Sequence, residues 1–252
     1  MTDIPNPLTL STFPIIFADD KNNINIAGTS ILAEHNEHQY LLTAAHVLRD
    51  PGTQYPLYIL LNDAPFPLKG PAIMSKLPQK ESDPDLDIAY FPLEFELDLA
   101  SQLTGYATIT LREFDENIDY AREHYFIFGY PWRKAKYKRT DNELIATPLQ
   151  YVTEKITNKR LYEKYSRPEE SHILINYKPK STKKADGSRY IAPYPHGISG
   201  GPLFRALVNK ENELILLILE GLLIEWKESH AIVATRKESI RKFIDANREG
   251  YT

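Results

Sequence analysis

The sequence predicts an all-β protein closed by a single C-terminal helix. Two observations carry that prediction. Short apolar runs rich in Ile, Tyr, Phe and Leu recur between turn residues, and almost none of them has the 3.6-residue period of an amphipathic helix. The exception is the last segment, where that period is present.

In chain order the runs are "FPIIF" (13–17), "INIAGTSILAE" (24–34), "QYLLT" (39–43), "PLYILL" (56–61) and "DIAYFPL" (87–93). They continue with "YFIFGYP" (125–131), "HILINY" (172–177), "LILLILEGLLIEW" (214–226) and "AIVAT" (231–235). Each is short enough for a strand, and each is bounded by residues that favour turns. Two stretches read as excursions from this body: "WRKAKYKR" after Tyr130-Pro131, and about 153–190, which contains "KPKSTKKADGSR". Their basic loops, 133–139 and 178–189, read as solvated, with an acidic or phosphorylated partner as the other use of such charge. In the final segment, "TRKESIRKFIDANREG", Ile240, Phe243 and Ile244 share one face. Thr235 with Glu238 forms a capping-box pattern, and Gly250 supplies a stop, so a helix is expected over about 236–249.

Composition narrows the class. The 252 residues are 42% hydrophobic and 25% charged, which suits a folded chain with a full core. Thirty basic against thirty-four acidic residues give a net charge of −4, so no global field recruits nucleic acid or an acidic membrane. The N-terminal stretch lacks the basic and apolar regions of a secretory signal, and the longest apolar run noted near the end, "LILLIL", is too short to span a bilayer. There is no cysteine, which fits a reducing compartment and excludes a thiol nucleophile or a thiolate metal site. A cytoplasmic location is the expectation.

The chemistry gathers around "HGISGGPLF", His196 to Phe204, where three glycines surround Ser199. A serine hydroxyl is a weak nucleophile unless a base stands within hydrogen-bond reach and a third group orients that base. Of seven histidines, His46 in "LLTAAHVL" has a suitable setting: an apolar strand end, then two alanines that let the backbone pack closely behind the ring. Asp87 ends the acidic loop "ESDPDLD" at the start of the apolar run "IAYF", where a carboxylate can be partly buried; Asp85 is the second candidate. A bend at Gly197 would aim the amides of Gly197 and Ser199 at one point, as stabilising an acyl-transfer oxyanion requires.

"TAAH", "DIA" and "GISGGPLF", in this order and separated by 41 and 112 residues from His46 to Asp87 to Ser199, resemble the three signature segments of the trypsin-like (chymotrypsin-fold) serine proteases. The similarity extends from about residue 10 to the end. It implies a serine endopeptidase with His46 as general base, Asp87 as its orienter, Ser199 as nucleophile and the amides of Gly197 and Ser199 as oxyanion hole. It also implies one peptidase domain over 1–252: two six-stranded antiparallel barrels, about 10–110 and about 120–235, with the site between them and the helix behind. "FIFGYP" resembles the strand that opens the second barrel. "ILEG" resembles the strand edge that pairs with substrate, so Leu219, Glu220 and Gly221 join Tyr194, Pro195 and His196 as expected pocket walls, with Glu220 a candidate selector of Lys or Arg. Substrates would be proteins or peptides, and no cofactor or metal is required.

Ile198 occupies the position where secreted digestive members carry an aspartate, and no "IVGG"-type segment stands near the start, so activation by N-terminal cleavage is not expected. The chain resembles the bacterial-type intracellular members, which implies control by a sensor or activating protein partner. Three other readings compete. "GISGG" satisfies the G-x-S-x-G elbow of esterases, but these need a helix starting at the nucleophile, and their acid and histidine after the serine. The same scaffold could serve as a catalytically silent interaction module. "HNEH", with His35 and His38, could begin a metal site or be a hairpin loop.

Overall fold

The computed structural model describes residues 8–49, 55–62, 64–77, 85–113, 118–138, 143–179, 182–183, 189–227 and 231–248. Strands dominate it, and they form two large sheets in sequence order, antiparallel except where the last short strand of the first sheet runs parallel to its neighbour.

The first sheet contains β1 (Thr12–Ala18), β2 (Ile24–His35), β3 (His38–Ala44), β4 (Tyr58–Leu61), β5 (Ala64–Pro67), β6 (Ile73–Met74), β7 (Ile88–Pro92) and β8 (Ile109–Thr110). Its strand order is β5-β4-β1-β2-β3-β7-β6, with β8 beside β2. Two of these eight, β6 and β8, are only two residues long, which leaves six principal strands. Pro14 has no N–H to give to a ladder. It lies in β1 beyond the pairing with β4, which involves only Ile15 and Ile16.

The chain then runs through β9 (Arg122–Gly129), the hairpin β10 (Ala135–Lys138) and β11 (Glu143–Ala146), β12 (Leu149–Thr153) and β13 (His172–Asn176). A second small hairpin, β14 (Thr182–Lys183) and β15 (Arg189–Tyr190), precedes β16 (Pro202–Val208), β17 (Leu214–Lys227) and β18 (Ala231–Arg236). The second sheet has the order β12-β9-β16-β17-β18-β13. The basic stretch after Tyr130 therefore continues as a hairpin, and "SHILINY" is a strand of the main sheet.

Among the described residues four α-helices accompany the strands: α1 (Ala45–Arg49), α2 (Leu97–Gln102), α3 (Lys159–Lys164) and α4 (Lys237–Arg248). The first three, all of six residues or fewer, are too short for a periodic pattern to show in sequence. No helix among the described residues is long and apolar enough to cross a membrane.

The helix α4 closes the molecule as the periodicity predicts. Ile240 and Ile244 are fully buried, and Phe243 meets Tyr90 edge-on with ring centroids 5.8 Å apart. The capping box is not used. Thr235 is still paired in β18, and its hydroxyl donates to the Leu86 carbonyl at 2.5 Å, so the helix starts at Lys237. Gly250, the expected stop, lies outside the described residues.

One apolar cluster spans both sheets: Ile26, Leu42 and Tyr90 from the first pack with Phe126, Phe128, Phe204 and Leu222 from the second. At the usual 25 cal/mol per Å², each fully buried side chain of this size contributes roughly 1.5–3 kcal/mol. This shared core fixes how the two sheets face each other, and so sets the walls of the cleft between them.

Candidate active site

Strand register brings His46 and Asp87 together. β3 and β7 pair with Ala44 opposite Ile88, so the residues one step outward, Ala45 and Asp87, also meet, and the Ala45 amide donates to the Asp87 carbonyl at 3.0 Å. The strand end where His46 was expected turns into the single turn α1. The His46 amide donates to Asp87 Oδ1 at 2.8 Å, and His46 Nδ1 lies 2.5 Å from Asp87 Oδ2. The carboxylate thus binds backbone and ring of the same histidine. Its side chain is 11% exposed against 35% for the imidazole, so the acid is sheltered and the base is reachable. With Nδ1–H committed to the carboxylate, the neutral ring carries its lone pair on Nε2. Asp87 itself holds φ +47°, a left-handed conformation that aspartate tolerates better than most residues.

Asp85 does not face His46; its Oδ2 accepts from Arg167 Nη2 at 3.3 Å. The buried His172 donates from Nε2 to the Asp85 carbonyl at 3.0 Å, while its Nδ1 accepts from the Ser171 hydroxyl at 2.9 Å. Burial lowers the pKa of His172 below its ordinary value and so favours its neutral form.

Ser199 sits half-buried on a turn stitched to both sheets. The Ile198 amide donates to Pro195 O at 3.1 Å, the Gly201 amide to Ile198 O at 2.8 Å, and the Gly200 amide to Leu223 O at 2.7 Å. Thr29 of β2 reaches across: its amide donates to Ser199 O at 2.7 Å, and its hydroxyl to Gly197 O at 2.9 Å. Gly197 has φ +96°, and a Cβ there would stand 2.7 Å from the Tyr130 carbonyl oxygen. Gly200 has φ +86°, with only 2.0 Å from a would-be Cβ to the Thr29 carbonyl oxygen. Glycine is therefore required at both. Neither the Gly197 amide nor the Ser199 amide has an acceptor among the described residues, although its neighbours in the turn do.

His46 and Ser199 line the same cleft, a cavity of about 590 Å³. Of the expected walls, Pro195 and His196 line it. Tyr194 does not, but it packs edge-on against the lining residue Trp226 at 5.6 Å. Leu219, Glu220 and Gly221, also expected there, are not among the residues that line the cleft. Leu219 belongs to the core, Glu220 pairs with Arg205 Nε at 2.9 Å, and Gly221 sits in the ladder opposite Leu203 and Arg236. The wall is formed by Leu223 to Trp226 instead. The reason is register: the Leu223 amide donates to Gly201 O at 2.8 Å, and a bulge at Ile224 re-aims the chain there. The long apolar run of β17 hides this position in sequence. One sequence signal was available, because the chain has just two tryptophans, Trp132 and Trp226, and both line the cleft.

His35 and His38 flank a tight hairpin whose tip residues, Asn36 and Glu37, have φ +50° and +66°. His35 Nε2 lies 2.8 Å from Asp245 of α4, and His38 Nδ1 lies 2.8 Å from Glu94. These histidines dock the helix and the hairpin. Among the described residues no group of three or more His, Asp or Glu converges to hold a metal. The residues after Ser199 enter strand β16 rather than a helix, which removes the esterase elbow.

Two solved structures resemble this chain over nearly its whole length. One is GrC, a granzyme, with a TM-score of 0.53 at 15% identity, covering 98% of this chain and 97% of that one. The other is neuropsin, a serine protease expressed in the limbic system of mouse brain, with a TM-score of 0.51 at 13% identity and 97% of each chain covered. No family model and no curated protein sequence matches. At these identities the likeness is one of fold: two curled antiparallel sheets and a C-terminal helix in the arrangement of the trypsin-like serine proteases.

Proposed function

We propose that the chain is a serine endopeptidase that hydrolyses peptide bonds through an acyl-enzyme intermediate. The supporting observation is that His46, bonded to Asp87 at 2.5 Å, lines one cleft with a serine whose turn leaves two amides without acceptors among the described residues. In this reading Ser199 Oγ attacks the scissile carbonyl carbon while His46 Nε2 takes its proton. The oxyanion accepts from the Gly197 and Ser199 amides, and the imidazolium is stabilised by Asp87. The proton then passes from His46 to the leaving amine, the C–N bond breaks, and water activated by the same nitrogen releases the acyl group.

The whole of 1–252 acts as one peptidase domain, barrels about 10–110 and 120–235 with the helix, and takes protein or peptide substrates in the cleft lined by Pro195, His196 and Trp226. The lack of cysteine and Ile198 at its position support a bacterial-type intracellular enzyme, competent without N-terminal cleavage and governed by a partner protein. The test is labelling with a fluorophosphonate probe. The intact chain is expected to label at Ser199, and Ser199→Ala to abolish it; labelling that survives the substitution, or none at all, rules the reading out and leaves a silent interaction module.

A further inference from the structure

Asp87 ends a short segment that is held from behind by the second half of the chain. His172 donates to the Asp85 carbonyl at 3.0 Å, Thr235 to the Leu86 carbonyl at 2.5 Å, and Arg167 to the Asp85 carboxylate at 3.3 Å. Arg167 differs from the other two. The same Nη2 also donates to Glu225 Oε2 at 3.0 Å, and Glu225 lines the cleft. One guanidinium, 15% exposed, thus stands between the segment that carries the acid and the wall that substrate would touch.

We propose that Arg167 is a positioning residue for the His46–Asp87 pair, bridging Asp85 and Glu225 so that the Asp87 carboxylate meets both the amide and the ring of His46. This rests on reading the cleft as a serine endopeptidase site. Asp87 is in the left-handed region, and such a conformation persists only where the surroundings over-determine it. Its carboxylate makes two bonds at once, at 2.8 and 2.5 Å, so a small shift of the segment breaks the pairing. A planar fork of N–H groups can hold two carboxylates in fixed directions, whereas a lysine ammonium is a mobile point charge. The other oxygen of Glu225 is paired with Lys227, so Arg167 and Lys227 together balance Asp85 and Glu225. Losing Arg167 leaves two carboxylates with one cation beside the segment.

The test reads the histidine itself. A His46 Nδ1 proton held by the Asp87 carboxylate is expected as a low-field resonance in proton NMR of the intact, substrate-free chain. In Arg167→Met and in Asp85→Asn it should move upfield and broaden, with Arg167→Lys in between. Turnover of a peptide ester by Arg167→Met should fall roughly tenfold to a hundredfold, as misplacement of a catalytic group by about 1 Å does. A resonance unchanged in both variants, with circular dichroism showing the fold intact, overturns the proposal. Should Arg167→Met fail to fold, Asp85→Asn alone decides, since it removes only the charged acceptor. Absence of the resonance in the wild type overturns it as well. Wild-type protein that never labels at Ser199 sinks the endopeptidase reading separately, because the resonance does not depend on turnover.

Discussion

At position 197 a single hydrogen in place of a methyl group decides the path of the chain. With φ at +96° and 2.7 Å to the Tyr130 carbonyl oxygen, any Cβ would push the bend away from its present course and turn the Gly197 amide. Gly197→Ala is therefore expected to lower stability by about 1–3 kcal/mol. If this amide is an oxyanion donor, kcat falls by about 100- to 1,000-fold as well. Denaturant titration and peptide-ester kinetics check the two effects; a variant with full kcat would remove Gly197 from the oxyanion role. The motifs around His46, Asp87 and Ser199 were legible in sequence because each has a composition that serves a backbone purpose. The pocket wall was not, since nothing in "LILLILEGLLIEW" marks which residue bonds back to Gly201.

At the scale of elements, β13 and β18 do more than complete a sheet. His172 of β13 and Thr235 of β18 face each other in the ladder, and both reach the residues just before Asp87. Because burial holds the His172 pKa below its ordinary 6.5, the unfolded chain binds the proton first as pH falls. Its contribution is therefore complete above pH 6.5 and is lost as pH drops from there toward the lowered folded value. Thermal unfolding measured across this range should show a steeper acid decline for wild type than for His172→Gln; equal slopes would contradict the account. The alternating strands and the terminal helix were readable from periodicity. The helix start was not, because Thr235 satisfies a sequence pattern for capping while the Leu86 carbonyl, 149 residues away in the chain, claims its hydroxyl.

Across the whole molecule, the two halves are joined by apolar packing and by a few polar bonds that span them. The Tyr130 hydroxyl donates to the Thr12 carbonyl at 3.2 Å, and burial raises its pKa to about 12. Burial also raises Tyr125 to about 12. A phenol whose folded pKa lies above its unfolded value near 10 favours the fold below pH 10 and loses that contribution as pH rises toward 12. Alkaline unfolding is expected to begin above pH 10, and Tyr130→Phe should soften the loss between 10 and 12. Stability monitored by tryptophan fluorescence along a pH series checks this, and a transition insensitive to the substitution would exclude Tyr130 as its source.

By itself the sequence determined the β-rich class, the closing helix, and the three motifs that carry His46, Asp87 and Ser199, because periodicity and glycine placement are local constraints written into neighbouring residues. The tertiary structure alone decided which stretch of β17 walls the cleft, that Glu220 is spent on Arg205, and that Arg167 links Asp85 to Glu225. Those outcomes depend on strand register, a bulge and contacts between segments far apart in the chain, and no local pattern encodes a distance between residues 85, 167 and 225.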